Sequence, residues 1–223
     1  MQSDKKLISV NVALPRIVMS NDDAVSTGIF KEPVAGRIKL RALKLDGDGQ
    51  ADLSVHGGRD KAVYVYPAEH YDYWKRELPA MKLPWGMFGE NFTTAGLVEY
   101  KVNIGDKFRV GSATVMVTQP RIPCYKLGLR FGRSDIVKKF LASRRTGFYF
   151  AVVRRGEVRA ADPIELIEKS KHSLRVSDIT ALYTYEKHNV GLLRSAIEIA
   201  ALPESWRGYF QHRLAKLTGS SHD

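Results

Sequence analysis

The single cysteine of this chain, Cys124, lies in the segment 119–127, QPRIPCYKL, where its neighbours favour a reactive thiol. Two prolines stiffen the segment, because proline fixes one backbone torsion and removes a backbone donor. Arg121 and Lys126 flank the sulfur, and nearby positive charge favours the thiolate, which is both the nucleophile and the metal ligand. A lone cysteine is also commonly a small buried apolar residue. The segment therefore predicts either a reactive thiolate or an inert core thiol.

A glycine motif at residues 56–63, HGGRDKAV, is a second candidate for ligand binding. Gly57 and Gly58 let the backbone approach a ligand closely, and their N–H groups can form an anion-binding concavity. Lys61 adds a positive charge. The motif is not a P-loop, since the Gly-Lys-Ser/Thr sequence is absent. An ordinary turn before a strand accounts for the same residues, so the motif alone is not decisive.

A third motif at residues 86–94, GMFGENFTT, places Glu90 beside Asn91. A carboxylate next to an amide can recognise the donor and acceptor edge of a heterocycle. A capped turn is the simpler interpretation of the same residues. The motif by itself leaves both interpretations open.

The acidic stretch 46–52, DGDGQAD, invites comparison with a calcium loop. An EF-hand needs glycine at its sixth position and glutamate at its twelfth. Counted from Asp46, those positions hold Ala51 and Gly57. Calcium binding is therefore excluded, and the stretch predicts a turn that leads into the glycine motif.

Composition limits the remaining chemistry. One cysteine cannot provide a four-cysteine iron–sulfur cluster, a zinc site with two or more cysteines, or an internal disulfide. The net charge of +11 favours anionic ligands, but lysines and arginines are spread along the chain rather than gathered in one run, which makes nucleic-acid binding the weaker alternative. No stretch has the roughly 18 apolar residues of a membrane span, and no signal peptide is apparent. These features predict a cytoplasmic protein.

Strand-forming sequences prevail before the C-terminal part of the chain. They are rich in β-branched and aromatic residues, and they occupy residues 62–66, 108–110, 114–118 and 148–153. Gly111 and Ser112 predict a hairpin turn between the second and third runs. One helix should follow Pro67 and end near Leu78. Another should follow Ser134, a good capping residue, with an apolar face of Ile136, Val137, Phe140 and Leu141.

From about Ser177 the apolar period becomes helical and predicts three short helices. Ser177 or Asp178 can cap the first, Asn189 can cap the second, and Pro203 stands near the start of the third. The apolar stripe of the second helix consists of Val190, Leu193, Ile197 and Ala200. That of the third consists of Trp206, Phe210, Leu214 and Leu217. We predict a sheet-rich domain over 1–170, a three-helix domain over 171–217, and a disordered tail at 218–223.

Five segments, in this order and spacing, resemble the MOSC family, and within it the YiiM-like group. They are 28–34 (GIFKEPV), 56–74 (HGGRDKAVYVYPAEHYDYW), 86–94 (GMFGENFTT), 104–111 (IGDKFRVG) and 119–127 (QPRIPCYKL). With the three helices expected in the tail, the resemblance extends over nearly the whole chain. The resemblance implies a mainly β (α+β) fold, in which a MOSC β-barrel-like domain with peripheral helices precedes a small three-helix domain.

MOSC proteins bind the molybdenum cofactor, a pterin with a dithiolene and a phosphate, so the resemblance implies that cofactor here. It implies that Cys124 ligates molybdenum. Candidates for the anionic parts of the cofactor are Thr27, Lys31, Lys61 and Arg121, and candidates for pterin contacts or proton delivery are His56, Asp60, Glu90 and Asn91. Gly57 and Gly58 complete the cofactor-binding set, and His56 and Asp60 accompany Cys124 as catalytic candidates.

The YiiM-like group is associated with reduction of N-hydroxylated compounds such as hydroxylaminopurine, hydroxylamines and amidoximes. The resemblance therefore implies a molybdenum-dependent oxidoreductase. The sequence lacks a dinucleotide fingerprint, a haem motif and an iron–sulfur set, so electrons must come from a separate reductase. Two alternatives stay open: a cofactor or sulfur carrier with a persulfide on Cys124, and a basic nucleic-acid-binding module. We expect no membrane partner, and the oligomeric state, a homodimer included, stays open.

Overall fold

The computed structural model describes residues 5–20, 23–51 and 57–219. The strands in these ranges are β1 (Lys6–Val12), β2 (Arg16–Ser20), β3 (Asp23–Thr27), β4 (Glu32–Pro33), β5 (Ile38–Leu40), β6 (Val63–Pro67), β7 (Phe92–Ala95), β8 (Lys107–Val110), β9 (Ala113–Pro120), β10 (Phe148–Arg154), β11 (Gly156–Val158) and β12 (Ile164–Glu168). The helices are α1 (Glu69–Glu77), α2 (Tyr125–Phe131), α3 (Ile136–Ser143), α4 (Val176–Thr184), α5 (Val190–Ile197) and α6 (Glu204–Thr218). Short 3-10 turns lie at Arg59–Lys61 and Glu99–Lys101.

Eight strands form one mixed sheet in the order β12-β8-β9-β10-β6-β7-β1-β4. β6 and β7 are parallel, and α1 lies in the crossover between them. An isolated bridge joins Lys6 of β1 to Pro163, just before β12, and the Leu7 N–H donates to the Asp162 carbonyl at 2.9 Å. The sheet thus curves back on itself, although no continuous ladder closes it among the described residues. The predicted sheet-dominated α+β fold is confirmed in this open, barrel-like form.

The central strand β6 is buried along its whole length. Side chains alternate between the two faces of a strand, and β6 sends Val63 and Val65 into one apolar cluster and Tyr64 and Tyr66 into another. The first cluster is the sheet core. The second, which we call the aromatic cluster, consists of Tyr64, Tyr66, Tyr71, Trp74, Leu78, Met87, Phe88, Leu127, Phe131, Ile136 and Phe140.

The aromatic cluster anchors the helices that surround the Cys124 segment. The Trp74 indole of α1 donates to the Tyr66 hydroxyl at 2.7 Å and stacks on Phe140 of α3, with ring centroids 5.7 Å apart. α2 buries Leu127 and Phe131 in the same cluster and ends at Gly132, whose φ of 63° is left-handed. Both ends of α2 are therefore fixed against a packed aromatic base.

The C-terminal helices share the sheet core. Ile179 of α4, Leu193 of α5 and Phe210 of α6 belong to the same apolar cluster as Phe108 and Val115 of the sheet. These helices therefore bury the face of the sheet opposite to the aromatic cluster. The division of the chain into separate domains at residue 170 stays a prediction.

Most predicted elements are confirmed. The β8–β9 hairpin pairs Val110 with Ala113 around Gly111, the helix after Pro67 is α1, and the helical tail contains α4, α5 and α6. Asn189 caps α5 as predicted, since its side chain accepts from the Leu192 N–H at 3.1 Å.

Four predicted details differ. Residue Asp135, not Ser134, precedes the first residue of α3. Arg175 occupies the N-cap of α4, and Asp178, three residues on, accepts the Arg175 N–H at 2.8 Å. Ala200 is exposed, because α5 ends at Ile197. The tail predicted to be disordered from 218 still contributes Thr218 to α6, and residues 220–223 lie outside the described ranges.

We expect Phe210→Ala to lower the free energy of unfolding of the whole chain by about 3–5 kcal/mol, the usual cost of removing a buried aromatic ring. The loss should appear in a single cooperative transition in chemical denaturation, because α6 packs into the sheet core. Leu217→Ala is the control on the same helix, since Leu217 is 38% exposed. Loss of the helices alone, with the sheet transition unchanged, would contradict a shared core.

Candidate functional site

A cavity that is open to solvent lies where the β2–β3 ribbon, the 46–51 loop and the segment after β9 meet. The described residues that line it are Thr27, Gly28, Ile29, Lys31, Asp48, Gly49, Gln50, Ala51, Lys61, Tyr64, Gly89, Asn91, Arg121, Cys124, Lys126 and Tyr149. Six of the site residues predicted from the sequence are among them: Thr27, Lys31, Lys61, Asn91, Arg121 and Cys124. Segments that are far apart in the sequence thus meet at one place.

Cys124 stands at the N-cap of α2, in extended backbone, and is half-buried. The segment before it leaves β9 at Pro120, which pairs with Phe148 of β10. The Arg121 N–H donates to the Gly147 carbonyl at 3.1 Å, which fixes the first residue of the segment against the neighbouring strand. The thiol is therefore held between a sheet edge and a helix start, a rigid mount for a reactive atom.

Arg121 carries a buried positive charge beside this thiol. Its guanidinium carbon lies 5.0 Å from the ring centroid of Tyr64 and 5.2 Å from that of Phe140. Its Nη1 atom is buried without a hydrogen-bond partner in the described part of the chain. A guanidinium stays charged in proteins, and an unsatisfied buried donor is costly. An anionic group in the cavity would satisfy it.

A buried ion pair closes another wall of the cavity. The Lys31 Nζ donates to Asp48 Oδ1 at 2.5 Å, and both side chains are almost fully buried. Burial lowers the pKa of Lys31 below its ordinary value, and the Asp48 carboxylate opposes that shift. Asp48 also accepts the Ala13 N–H at 2.9 Å. One of the three Lys31 protons is therefore committed to the scaffold.

The Asn91 side chain joins three segments at the cavity wall. Its Oδ1 accepts the Tyr64 N–H at 3.1 Å, and its Nδ2 donates to the Asn11 carbonyl at 3.2 Å and to Asp48 Oδ2 at 2.9 Å. An amide nitrogen has two protons, and both are used within the protein. Only the Oδ1 atom can accept a further hydrogen bond, so Asn91 is chiefly a positioning residue.

Lys61 enters the cavity from the end of the 3-10 turn Arg59–Lys61 and is half-buried. Burial lowers its pKa from the ordinary value, while Asp60 opposes the shift. Its carbonyl accepts the Gln50 side-chain amide at 3.2 Å, which ties the turn to the 46–51 loop. A lysine with a lowered pKa gives up its proton more readily than an exposed one.

The helical tail is connected to the site through β9. The Trp206 indole of α6 donates to Gln119 Oε1 at 2.5 Å. Gln119 Nε2 and Thr118 Oγ1 of β9 both donate to the Asp60 carbonyl, at 3.3 and 2.7 Å. The peptide that immediately precedes Lys61 is therefore held by β9, and β9 is in turn held by α6.

Two glycines permit the close approach that forms the cavity wall. A Cβ on Gly28 would lie 2.4 Å from the Gly49 carbonyl oxygen, which is shorter than any tolerated contact. A Cβ on Gly49 would lie 2.5 Å from the Pro15 ring. The loops that carry Lys31 and Asp48 can therefore meet only because neither position has a side chain.

Four predicted residues lie outside the cavity lining. Gly57 and Gly58 precede the 3-10 turn, and Asp60 offers its carbonyl to β9 rather than its side chain to the cavity. Glu90 is fully buried, and it accepts hydrogen bonds from the Gly86 and Phe88 N–H groups and from the Tyr71 and Thr93 hydroxyls. His56 lies outside the described residues.

The Glu90 carboxyl accepts two backbone hydrogen bonds from its own loop, at Gly86 and Phe88, and two from hydroxyl groups of Tyr71 and Thr93. Burial raises the pKa of Glu90 above its ordinary value, and the hydrogen bonds that it accepts oppose the shift. The carboxyl that the sequence suggested as a ligand contact therefore fixes the 86–90 loop instead.

The residues that sequence reasoning missed are those without a distinctive local pattern. Asp48 was interpreted only as part of a turn, and Tyr64 and Tyr149 only as strand residues. The alternation of side chains within β6 and β10 predicts on which face of the sheet Tyr64 and Tyr149 lie, but not which residues they contact. The acidic residue in the glycine-rich 46–52 stretch was the one available signal.

Two negative findings concern the described residues alone. They contain no group of three or more histidine, cysteine, aspartate or glutamate side chains arranged to hold a metal ion. Within the same ranges, no helix has both the length and the apolar character required to cross a membrane.

Comparison with known proteins identifies the family. The MOSC domain matches residues 52–165, about half of the chain. The chain belongs to the MOSC family. The YiiM-like three-helix domain matches residues 176–217, the region that contains α4 to α6.

Similar proteins extend over most of this MOSC chain. Protein YiiM of Escherichia coli is 39% identical over 204 residues, which is 88% of each chain. The crystal structure of YiiM from Geobacillus stearothermophilus superposes with a TM-score of 0.80 at 33% identity, over 95% of this chain and all of the other. A protein of Gibberella moniliformis named "Reductase" is 28% identical over 178 residues, covering 78% of this chain and 32% of its own length.

We expect Asp48→Asn to lower the free energy of unfolding by about 3–5 kcal/mol near neutral pH, because it leaves the buried Lys31 ammonium without its counter-charge. Asp46→Asn, which removes a carboxylate from the exposed pair with Arg41, is the matched control and should cost less than about 1 kcal/mol. Urea denaturation of the three proteins measures both values. Equal losses in the two variants would show that the Lys31–Asp48 pair is not the constraint that we assign.

The loss caused by Asp48→Asn should shrink as the pH rises. Burial already lowers the pKa of Lys31 from 10.5, and removing Asp48 removes the interaction that raises it. Between the lowered pKa of Lys31 in the folded variant and 10.5, the unfolded variant then binds more protons than the folded one, so its stability increases with pH over that interval. Repeating the denaturation at neutral and alkaline pH tests the sign. If the difference in unfolding free energy between the native protein and Asp48→Asn increased with pH, the predicted sign would be wrong.

Proposed function

We propose that this chain is a molybdenum-cofactor-dependent reductase of N-hydroxylated compounds, with Cys124 as the protein ligand of the metal. One observation carries the proposal: the same open cavity contains a thiol and a buried guanidinium nitrogen that has no hydrogen-bond partner among residues 5–20, 23–51 and 57–219. Membership of a family associated with the molybdenum cofactor supports the cofactor, and the distant relative named "Reductase" supports the class of reaction.

The cavity chemistry fits such a cofactor. A thiolate is a soft ligand and suits a soft, sulfur-bound metal. Arg121 offers a buried donor to an anionic group. Lys31, Lys61 and Lys126 line the same cavity and add positive charge around it. Cys124 would hold the metal from the protein side, and the dithiolene of the cofactor would supply further sulfur ligands.

Individual residues take distinct roles in this proposal. Arg121, Lys31 and Thr27 bind the anionic parts of the cofactor, and the open mouth of the cavity admits the substrate. Asn91 holds the walls in register through its hydrogen bonds to Tyr64 and Asp48. When bound, the cofactor supplies the two-electron redox chemistry that amino-acid side chains lack.

The proposed reaction breaks the N–O bond of R–NHOH. It consumes two electrons and two protons and yields R–NH2 and water. We assign Lys61 to hold a proton at the cavity wall, because its side chain lines the cavity and burial lowers its pKa below the ordinary value. Lys61 joins His56, Asp60, Glu90 and Asn91, the candidates for pterin contacts or proton delivery, as a further candidate for proton delivery in this proposal.

A nucleic-acid-binding function is less well supported by the placement of the cations. Three lysines and Arg121 converge on one concave site, whereas nucleic acid is usually bound along an extended basic surface. The alternative of a carrier uses the same thiol as the reductase, but Cys124 would hold sulfur as a persulfide instead of binding the metal. The experiment on Cys124 separates it from the reductase.

We expect Cys124→Ser to fold normally and to lose reduction of hydroxylaminopurine. The substitution is nearly isosteric, but serine is a harder and far less acidic ligand. The melting temperature, the molybdenum content and the activity should be measured on one preparation from a cofactor-producing host. Tyr125→Phe is the control, because this neighbouring side chain is 57% exposed.

Each outcome of this experiment has a distinct meaning. A folded Cys124→Ser protein with native activity would falsify the assignment of the metal ligand. A persulfide on Cys124 in the native protein, without reductase activity in the loaded chain, would favour the carrier. Loss of stability with activity retained would indicate an inert, buried thiol.

The loaded chain should not use NADH directly. The sequence lacks a dinucleotide-binding fingerprint and a second redox centre, so a separate reductase must deliver the electrons. Turnover with a reduced viologen dye and none with NADH, measured as amine formation, is the expected result. Rapid NADH-dependent turnover by the isolated chain contradicts a separate donor.

A further inference from the structure

Two arginines share one aromatic ring beside the cavity. The Arg16 guanidinium carbon lies 3.8 Å from the ring centroid of Phe30, and that of Arg130 lies 5.1 Å from the same centroid. We call these three residues the arginine–phenylalanine stack. Arg16 belongs to β2, Arg130 to α2, and Phe30 to the loop between β3 and β4, so the stack exists only in the folded chain.

The stack adjoins the cavity on two sides. Phe30 stands between Ile29 and Lys31, which both line the cavity. Arg130 follows Lys126 by four residues, which places both on the same side of α2, and Lys126 lines the cavity as well. A ligand that fills the cavity and extends beyond it can therefore reach the stack.

Among the described residues, no carboxylate pairs with either guanidinium. Arg41, Arg109 and Arg133 each pair with a carboxylate, whereas Arg16 and Arg130 form no ion pair with any described residue. The Arg130 Nε atom is buried and has no hydrogen-bond partner in those ranges. Two planar donor groups therefore contact the same ring, and neither has a carboxylate partner in the described part of the chain.

The two charges also repel each other. Burial lowers the pKa of Arg130 below its ordinary value, and the positive charge of Arg16 lowers it further, while Glu32 and Glu90 partly oppose these effects. Paired cations around one ring are stabilised by an anion that both can bind. Guanidinium groups match phosphate oxygens in geometry as well as in charge.

We propose that the arginine–phenylalanine stack is a phosphate-binding site at the mouth of the cavity. Phosphate there gives Arg130 Nε its missing acceptor and screens Arg130 from Arg16. The phosphate has two sources, the substrate or the cofactor itself. If the phosphate belongs to the substrate, the chain acts on phosphorylated, nucleotide-type molecules in preference to free bases. The assignment of the phosphate to substrate or cofactor rests on the proposed function, whereas phosphate binding itself does not.

The test is calorimetric titration of the full chain with AMP and with adenosine. AMP should bind more tightly than adenosine, and Arg16→Gln and Arg130→Gln should each weaken AMP binding roughly tenfold or more, as expected for a lost charge-assisted contact. Arg155→Gln, at an exposed position between β10 and β11 that does not line the cavity, removes the same charge and should change AMP binding less than about twofold. Adenosine binding should be the same in all variants.

Phe30→Leu tests the stack by a second route. It keeps every charge but removes the ring that orders the guanidiniums, so AMP binding should weaken while the melting temperature changes little, since Phe30 is only half-buried. Absence of AMP binding to the native chain, equal affinity for adenosine, or native AMP affinity in Arg16→Gln and Arg130→Gln would each overturn the proposal.

Repeating the titration on cofactor-loaded protein identifies the source of the phosphate. If the loaded chain still binds AMP through Arg16 and Arg130, the stack serves the substrate. If loading abolishes AMP binding and Arg130→Gln lowers cofactor retention, the stack holds the phosphate of the cofactor. Neither readout depends on turnover, so loss of this proposal and loss of the reductase proposal remain distinguishable.

Discussion

Asp48 is the residue through which the walls of the cavity are connected. Its carboxylate neutralises Lys31, accepts the Ala13 N–H and receives the Asn91 amide. Asn91 carries the connection onward to Tyr64 in the central strand. A buried carboxylate is stable only when its oxygens are paired. The position of each wall therefore depends on the others, and the site forms as one unit with the fold.

The two faces of β6 pack into two different apolar clusters. The sheet core receives the valines and extends into α4, α5 and α6, while the aromatic cluster receives Tyr64 and Tyr66 and supports α1, α2 and α3. Tyr64 also lines the cavity. The site thus lies at the edge of a rigid aromatic base, and the hydrogen bond from Trp206 to Gln119 connects it to the helical tail on the other face.

The basic side chains around the cavity differ in whether a carboxylate of the protein neutralises them. Lys31 is paired with Asp48, whereas Arg121 has a buried nitrogen without a partner among the described residues. The paired charge holds the scaffold, and the unpaired one is available to a ligand. Counting basic residues in the sequence cannot separate these states, because the distinction depends on which carboxylate lies within reach.

The sequence by itself determined the elements and the thiol. Periodicity and turn residues gave the β8–β9 hairpin, α1 and the three tail helices, because these depend on neighbours a few residues apart. The segment around Cys124 was recognisable from its prolines and cations. Only the tertiary structure decided that Glu90 accepts hydrogen bonds from its own loop, that Asp48 pairs with Lys31, and that Arg16 and Arg130 both contact the Phe30 ring. Those contacts join residues far apart in the chain, and local patterns carry no information about which distant segments pack together.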